Sequence, residues 1–359
     1  MTQIFEPIEF LSQMIAIPSV SRQEGNVANL VEQEMIRLGF DYNRCGNNLW
    51  VVHPSYDSSR PTLLLNSHID TVRPATTWTR DPYLPEIIDG RLYGLGSNDA
   101  GASAACLLGA FYHIYQEEYP LNLILALTAE EEVMGEGGMR MFLPQLIERG
   151  YNIDMALVGE PTGMQPAIAE RGLLVLDCVS HGVSGHAARN EGVNALYKAI
   201  SEIEFLKNFK FDRESRILGP IKISVTMIEA GTQHNVVPDI CKWVVDVRTT
   251  DVYNNEETVK ILKDVIESDI TPRSTRIWAS VIEESHPLVI TAKEIGGQPF
   301  VSPTTSDMAL LHDIPSLKMG PGQSSRSHTA DEFVLIDEVQ GGIKGYIQFL
   351  KNLAKRYKS

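Results

Sequence analysis

Four groups of acidic and histidine residues stand at the ends of apolar runs of strand length. They are His68-Ile69-Asp70 after Leu63–Asn66, Asn98-Asp99 ahead of a small-residue helix, Glu130-Glu131-Glu132 after Leu121–Thr128, and Glu160 after Met155–Val158. Carboxylates are seldom fully buried unless paired or bound to metal, and three consecutive glutamates at the mouth of a buried strand repel one another unless a cation lies among them. Each group alone has a plainer explanation: a hydrogen-bonded structural histidine, a solvated helix start, or the turn Gly159-Glu160-Pro161-Thr162. Independent surface carboxylates have no reason to fall at the same end of successive strands, which is where open α/β sheets place their ligands. A metal site accounts for all four together.

Two other chemistries fail on their residues. Gly94-Leu95-Gly96-Ser97-Asn98-Asp99 precedes a helix as a dinucleotide-binding turn does, but the third glycine of G-x-G-x-x-G is replaced by Asp99, a carboxylate where a pyrophosphate would lie. No G-x-S-x-G is present, so a serine-hydrolase elbow is unsupported.

The elements needed to position the four groups can be read from periodicity. Apolar residues recur at helical spacing between Phe5 and Leu38, giving two amphipathic helices divided at Pro18, with Gly39 as a stop. Strand-length runs follow at Leu49–His53 and Thr62–Asn66, then a Pro-rich loop from Arg73 to Pro85 and a long helix from near Ala100. Leu121–Thr128 reads as a strand, Met139–Ile147 as a helix and Met155–Val158 as another buried strand, the alternation of an α/β sheet covered on both faces. After Arg171 the pattern becomes strand Leu173–Ser180, helix Val193–Leu206, strands Ile221–Glu229 and Ile240–Thr249, helix Glu256–Ser268 and strand Arg276–Ile282. That β-α-β-β-α-β order is a ferredoxin-like unit with its own small core. From about Ser285 the α/β alternation resumes with a helix, strand Ser316–Met319 and an amphipathic helix Ile336–Leu353. The expected architecture is α/β, with a discontinuous catalytic domain of residues 1–171 and 284–359 around an inserted domain of residues 172–283.

Composition narrows the partners. The 359 residues exceed the roughly 250–300 at which single cores stop growing, so two domains are expected. With 31 Lys+Arg against 46 Asp+Glu the net charge is −15, and no basic run offsets it, which argues against nucleic acid and anionic membranes and for a small-molecule substrate. Cys45, Cys106, Cys178 and Cys241 form no CxxC pair, so neither a disulfide framework nor a thiolate zinc site is expected. The N-terminus, Met1 to Pro7, lacks a basic region, and no apolar run approaches the ~18 residues of a membrane span. The expected location is the cytoplasm.

Five ordered segments carry a resemblance. Leu64–Val72 (LLNSHIDTV), Tyr93-Gly94-Leu95-Gly96 through Asp99, Thr128-Ala129-Glu130-Glu131-Glu132, Val158-Gly159-Glu160-Pro161-Thr162 and Ser327-His328-Thr329-Ala330-Asp331-Glu332 resemble the zinc amidohydrolase family of acetylornithine deacetylase, succinyl-diaminopimelate desuccinylase, aminoacylase and carboxypeptidase G. The resemblance implies a mixed-sheet, three-layer zinc-peptidase domain with an inserted ferredoxin-like lid and dimerisation domain. It implies two Zn²⁺ per chain, with Co²⁺ or Mn²⁺ as substitutes: His68, Asp99 and Glu160 on one, Asp99, Glu132 and His328 on the other, Asp99 bridging. Asp70 would orient the His68 side, and Glu131 would be the general base. Such a pair makes a nucleophile of water near neutral pH, and an unligated carboxylate can carry its proton to the leaving amine. The bond Asp99–Ala100 would be cis.

The inserted domain adds Ser184-Gly185-His186-Ala187-Ala188, similar to the segment whose histidine reaches the partner subunit's site to support an oxyanion, and hence implies a homodimer. Gly231–Pro238 and Asp246-Val247-Arg248 resemble the segments supplying Asn235 and Arg248 for the substrate's α-carboxylate, although Arg248 also reads as an ordinary salt-bridged strand residue. Gly322 would present backbone near the substrate. Where many relatives have Asp-x-Lys-Gly, this chain has Asp99-Ala100-Gly101-Ala102. The ligand is retained and the lysine is absent.

The function expected from this resemblance is hydrolysis of an N-acyl-L-amino acid amide, an N-acetyl- or N-succinyl-ornithine or -citrulline deacylase of arginine biosynthesis. The alternatives are succinyl-diaminopimelate desuccinylase, an aminopeptidase or dipeptidase of the same family and, from another class, a non-catalytic metal-binding assembly protein.

Overall fold

In the computed structural model, which describes residues 5–311 and 313–358, the apolar runs pair into a mixed sheet. Met1–Ile4 of the N-terminal segment discussed above lie outside the described residues. Strand Thr62–His68 lies between Asn122–Thr128 and Met155–Val158 and is parallel to both; Ser316–Lys318 continues the parallel set beside Met155–Val158. Asn48–Val52 joins antiparallel on Asn122–Thr128, and Tyr42–Cys45 forms the edge beyond it.

Alternation along these strands sorts their side chains to two faces. Leu49, Val51, Leu63, Leu65, Leu123, Leu125 and Leu127 pack into a core with helices Pro7–Ile15, Gly25–Arg37, Ala102–Ile114 and Ile336–Tyr357. Trp50, Leu64, Ile124 and Ala126 face a second core with Met139, Phe142 and Leu146 of helix Met139–Glu148. The sheet is thus buried on both sides, as its unbroken apolar sequences require. A second, three-stranded sheet joins Glu86–Ile88, Arg91–Tyr93 and Phe333–Leu335; its first strand begins just beyond the loop read from Arg73 to Pro85.

The chain divides into two compact units, Met1–Ile168 with Ile282–Phe300 and Ser306–Ser359, and Ala169–Val281 with Val301–Thr305. The sequence reading sets the borders at 171/172 and 283/284 and has no counterpart to Val301–Thr305.

In the second unit the order is strand Gly172–His181, helix Ala195–Asn208, strands Lys222–Ala230 and Ile240–Thr249, helix Asn255–Val265 and strand Asp269–Pro272. The four strands form an antiparallel sheet in the order 222–230, 240–249, 172–181, 269–272 over a core that includes Leu174, Leu176, Trp243 and Leu262. The β-α-β-β-α-β succession is therefore present, with a different fourth strand from the one expected at Arg276–Ile282. The helix stops at Val265 and Ile266 is already extended, so the last three residues of the helix expected over Glu256–Ser268 are not helical. Pro272 is tolerated because its strand lies at the sheet edge. Ser280–Val281 pairs with Ala169 and Glu170 instead.

Candidate metal centre

The acidic groups converge because their strands are parallel neighbours. His68 ends its strand directly opposite Thr128, and Val158 lies opposite Asn66, so the chain leaves the sheet at three adjacent points carrying His68, Glu131-Glu132 and Glu160. Asp99 comes from the turn Ser97–Gly101 that enters helix Ala102–Ile114. The tightness of that turn rests on Gly96, at φ 76°, where an added Cβ would lie 2.6 Å from Thr71 Cγ2. The Asp99–Ala100 bond is cis, as the resemblance implies.

His68 is 1% exposed, and its Nε2 lies 3.3 Å from Asp99 Oδ1, 3.6 Å from Glu160 Oε1 and 3.9 Å from Glu131 Oε2. His328 Nε2 lies 2.9 Å from Glu132 Oε2 and 3.6 Å from Asp99 Oδ2. Among the described residues three overlapping groups bring their donor atoms within 4.8 Å of one another: His68, Asp99 and Glu160; Asp99, Glu132 and His328; and His68, Glu131 and Glu132. The first two coincide with the ligand sets implied by the resemblance and share Asp99. The third brings in Glu131, so proximity alone does not separate a general base from a ligand there.

Backbone amides of the loops that carry the cluster are held by carboxylates from distant segments. Asp70 Oδ1 accepts from the Glu131 N–H at 3.0 Å and Oδ2 from the Glu132 N–H at 3.2 Å, while the Ser21 hydroxyl donates to Oδ2 at 2.7 Å. Buried Glu24 accepts from the Glu130 N–H at 3.3 Å and from the Asn47 amide. Glu332 accepts from both Asn98 N–H, at 2.8 Å, and Asp99 N–H, at 3.0 Å. His68 Nδ1 faces the Asp70 backbone carbonyl at 3.0 Å, which leaves Nε2 toward the cluster. Asp70 thus acts on the loop of Glu131 and Glu132 as well as beside His68. Glu24 carries no role in the sequence reading, and Glu332 none beyond its place in a motif. Their partners lie 106 and 233 residues away, so no local spacing announces them.

Burial and mutual charge shift the proton affinities of the clustered groups. Burial works against the His68 cation, but Asp70 and Asp99 beside it, with the charges of Glu131 and Glu160, outweigh that and hold its pKa well above the usual range. The His328 pKa is pushed up to about 9, chiefly by its bond to Glu132. Burial raises Glu131 well above, and Glu132 above, the usual carboxylate range, and takes Glu160 up to about 8 with help from the Asp99 charge. Asp99, despite its burial, is held below its usual value by His68 and His328. An all-oxygen and imidazole donor set without thiolate suits borderline and hard divalent ions, and a pair of them would offset the negative charge gathered here.

The remaining residues singled out by sequence are placed as follows. Gly322 is buried at φ 84°, and its carbonyl accepts from the Gly163 N–H at 2.6 Å. In the second unit, His186 and Asn235 come together: Gly185–His186 pairs with Val236–Val237, and the Ala187 N–H donates to the Asn235 carbonyl at 3.0 Å. Both residues are exposed. Arg248 is engaged by Asp246, two residues earlier on the same strand face, at 2.8 and 3.1 Å. The salt-bridged state that the sequence left open is thus the one present.

The model of Peptidase family M20/M25/M40 matches residues 64–352. Similar curated proteins include the succinyl-diaminopimelate desuccinylase of Wolbachia pipientis wMel, 25% identical over 97% of this chain and 93% of that protein, and that of Cereibacter sphaeroides (strain ATCC 17025 / ATH 2.4.3), 28% identical over 83% and 79%. Similar solved structures include a Staphylococcus aureus tripeptidase, TM-score 0.78 at 21% identity over 97% of this chain and 98% of that one. A dinuclear metal-binding peptidase of the M20 family from Bacillus subtilis gives TM-score 0.73 at 15% identity over 97% and 96%.

Proposed function

The chain belongs to Peptidase family M20/M25/M40 and is a hydrolase acting on amide bonds, and from that premise we propose that it frees the α-amine of an N-acyl-L-amino acid, with N-succinyl-diaminopimelate as the favoured substrate. The observation that carries the reading is the cluster itself: two groups of three donors sharing Asp99, with Glu131 beside them and required by neither. The succinyl preference rests on the names of the curated relatives, which favour the desuccinylase alternative over the ornithine or citrulline deacylase expected from sequence.

His68, Asp99 and Glu160 would hold one ion, and Asp99, Glu132 and His328 the other; zinc suits these donors, with cobalt or manganese as substitutes. Bound ions would polarise the scissile carbonyl and acidify the attacking water. Glu131, whose burial raises its proton affinity, would accept the water's proton and pass it to the departing amine. Asp70 would keep Glu131 and Glu132 in place through their backbone amides. His186 would support the oxyanion from a partner subunit, Asn235 and Arg248 would hold the substrate's α-carboxylate, and Gly322 would line the site with backbone.

A homodimer through the second unit is supported by its exposed apolar side chains: Tyr197, 70% exposed, with Ile200 and Phe205 on one helix, and Met227 and Ile228 on the sheet-edge strand Lys222–Ala230. The four cysteines are unpaired, which suits the reducing cytoplasm, where we place the protein. Among the described residues no helix is long and apolar enough to cross a membrane.

The test is a substrate panel of N-succinyl-diaminopimelate, N-succinylcitrulline, N-acetylcitrulline, N-acetylornithine and a dipeptide. The highest kcat/KM is expected for N-succinyl-diaminopimelate; turnover of only the acetyl compounds would overturn the succinyl preference, and of only the dipeptide the deacylase reading. Elemental analysis of protein prepared without chelator should find about two divalent ions per chain. Metal without turnover of any amide would leave the assembly-protein reading.

A further inference from the structure

The loop that carries His328 and the turn that carries Asp99 are distant in sequence, and the side chains of Asn98 and Glu332 join them, Asn98 through Gln323 and Ser327 and Glu332 through two amides of the turn. Strand Phe333–Leu335 pairs antiparallel with Arg91–Tyr93, with Phe333 opposite Tyr93. One step beyond that ladder the Gly94 N–H donates to the Glu332 carbonyl at 3.0 Å, so residue 332 is fixed where the other strand turns into Leu95–Asp99. The Glu332 side chain is 1% exposed, and one of its oxygens accepts two consecutive amides, Asn98 N–H at 2.8 Å and Asp99 N–H at 3.0 Å. Two adjacent N–H groups aimed at one side-chain oxygen fix the direction of the peptide between them and hence the exit of the Asp99 side chain. Four residues before Glu332, His328 faces Glu132 and Asp99. Between them, Asp331 accepts from Thr79 N–H at 3.0 Å, from its hydroxyl at 2.5 Å and from Arg80 N–H at 3.0 Å. The short segment 328–332 is therefore clamped on both sides.

We propose that Glu332 is a positioning residue of the metal centre, setting the shared ligand Asp99 against His328 through the two backbone amides it accepts. It touches no reacting atom, and its action is geometric: what matters is an acceptor oxygen at glutamate's reach. This inference rests on the metal reading of the cluster. It separates two substitutions that conservation of the carboxyl group would rank the other way. Glu332→Gln keeps an acceptor oxygen at the same distance and loses the carboxyl group; Glu332→Asp keeps the carboxyl group and withdraws the oxygen by one methylene.

The experiment uses the full chain freed of metal by chelation and titrated with Co²⁺, followed by calorimetry and the visible absorption of the bound ion, with thermal unfolding of the metal-free proteins as the control for folding. Glu332→Asp should weaken Co²⁺ binding by about 10–100-fold and alter the absorption bands, the size of effect typical when a ligand's supporting hydrogen bond is lost. Glu332→Gln should stay within about 3-fold of the unsubstituted chain with its bands unchanged, since its oxygen still accepts both amides. A folded Glu332→Asp chain that binds Co²⁺ as the unsubstituted chain does would overturn the inference. So would a weakened, folded Glu332→Gln chain, whether or not Glu332→Asp folds. If the unsubstituted chain itself takes up no Co²⁺, the metal reading falls; if it takes up two ions and both variants match it, the positioning role alone falls.

Discussion

The two units hold their chemistry-bearing residues in opposite ways. In the first, His68 and Glu131 are buried at the carboxyl ends of parallel strands, and the amides of Glu130, Glu131, Glu132, Asn98 and Asp99 are each taken by a carboxylate from elsewhere. In the second, His186 and Asn235 are exposed on a two-residue ladder, and Arg248 is bound to Asp246 rather than poised alone. The cluster in the first unit is preorganised by the fold, whereas on the proposed roles His186, Asn235 and Arg248 would take their working partners from substrate or another subunit. Substitutions in the first unit should therefore remove chemistry outright. Those in the second should act through substrate binding or, for His186, through the subunit pairing that would deliver it to a site.

Glu131→Ala gives the largest effect. Loss of the proton carrier should lower kcat by about 10²–10⁴-fold with metal content unchanged, read by steady-state kinetics beside elemental analysis. Metal content falling together with kcat would move Glu131 into the ligand set, as its place in the third donor group permits. His186→Ala should cost about 10²–10³-fold, the usual worth of one oxyanion donor. Mixing and refolding it with Glu131→Ala should restore about a quarter of full activity, since half the dimers are mixed and one of their two sites is whole. No recovery on mixing would place His186 in its own subunit's site.

The contrast also explains what the sequence disclosed. His68, Asp99, Glu132, Glu160 and His328 are legible because each closes an apolar strand or sits in an ordered motif, and the parallel register then brings the strand ends together without further instruction. Glu24 and Glu332 act on backbone amides of remote loops, so nothing in their neighbours' spacing reveals them. The fourth strand of the second unit's sheet differs from the expected one for a related reason. Asp269–Pro272 is short and at an edge, with Ile270 alone turned to the core, so pairing with Gly172–His181 defines it and periodicity does not.

Arg248→Ala should raise KM by about 10–100-fold with little change in kcat, the worth of a charge-assisted pair to a substrate carboxylate. Lysine at 248 should not restore it, because a point charge cannot reproduce a planar fork. Asp246→Ala releases the guanidinium and should lower KM or leave it unchanged. A rise in KM for Asp246→Ala instead would mean that the pair positions Arg248 rather than competing with substrate.

The smallest effect lies in the stability of the metal-free chain and has a definite sign. Glu160, raised from 4.5 to about 8 by burial and the Asp99 charge, contributes stability that is full below its unfolded pKa and is lost as pH rises through about 8. His328, raised from 6.5 to about 9 chiefly by Glu132, contributes below 6.5 and loses its contribution as pH rises through about 9. Asp70 and Asp99 are depressed and have the opposite sign, but their window lies below their ordinary 3.8. Between pH 5 and 9 the cluster therefore destabilises the metal-free protein steadily as protons leave it. Bound cations replace those protons, so the loaded protein should not share the loss. The Tm gap between loaded and chelated protein should widen by about 5 °C from pH 5 to pH 9, with protons released on metal binding below pH 8 and few above pH 9. A gap that is flat across that range would mean that the carboxylates separate or admit water when empty, and the rigidity claimed for the first unit would then depend on the ions rather than on Asp70, Glu24 and Glu332.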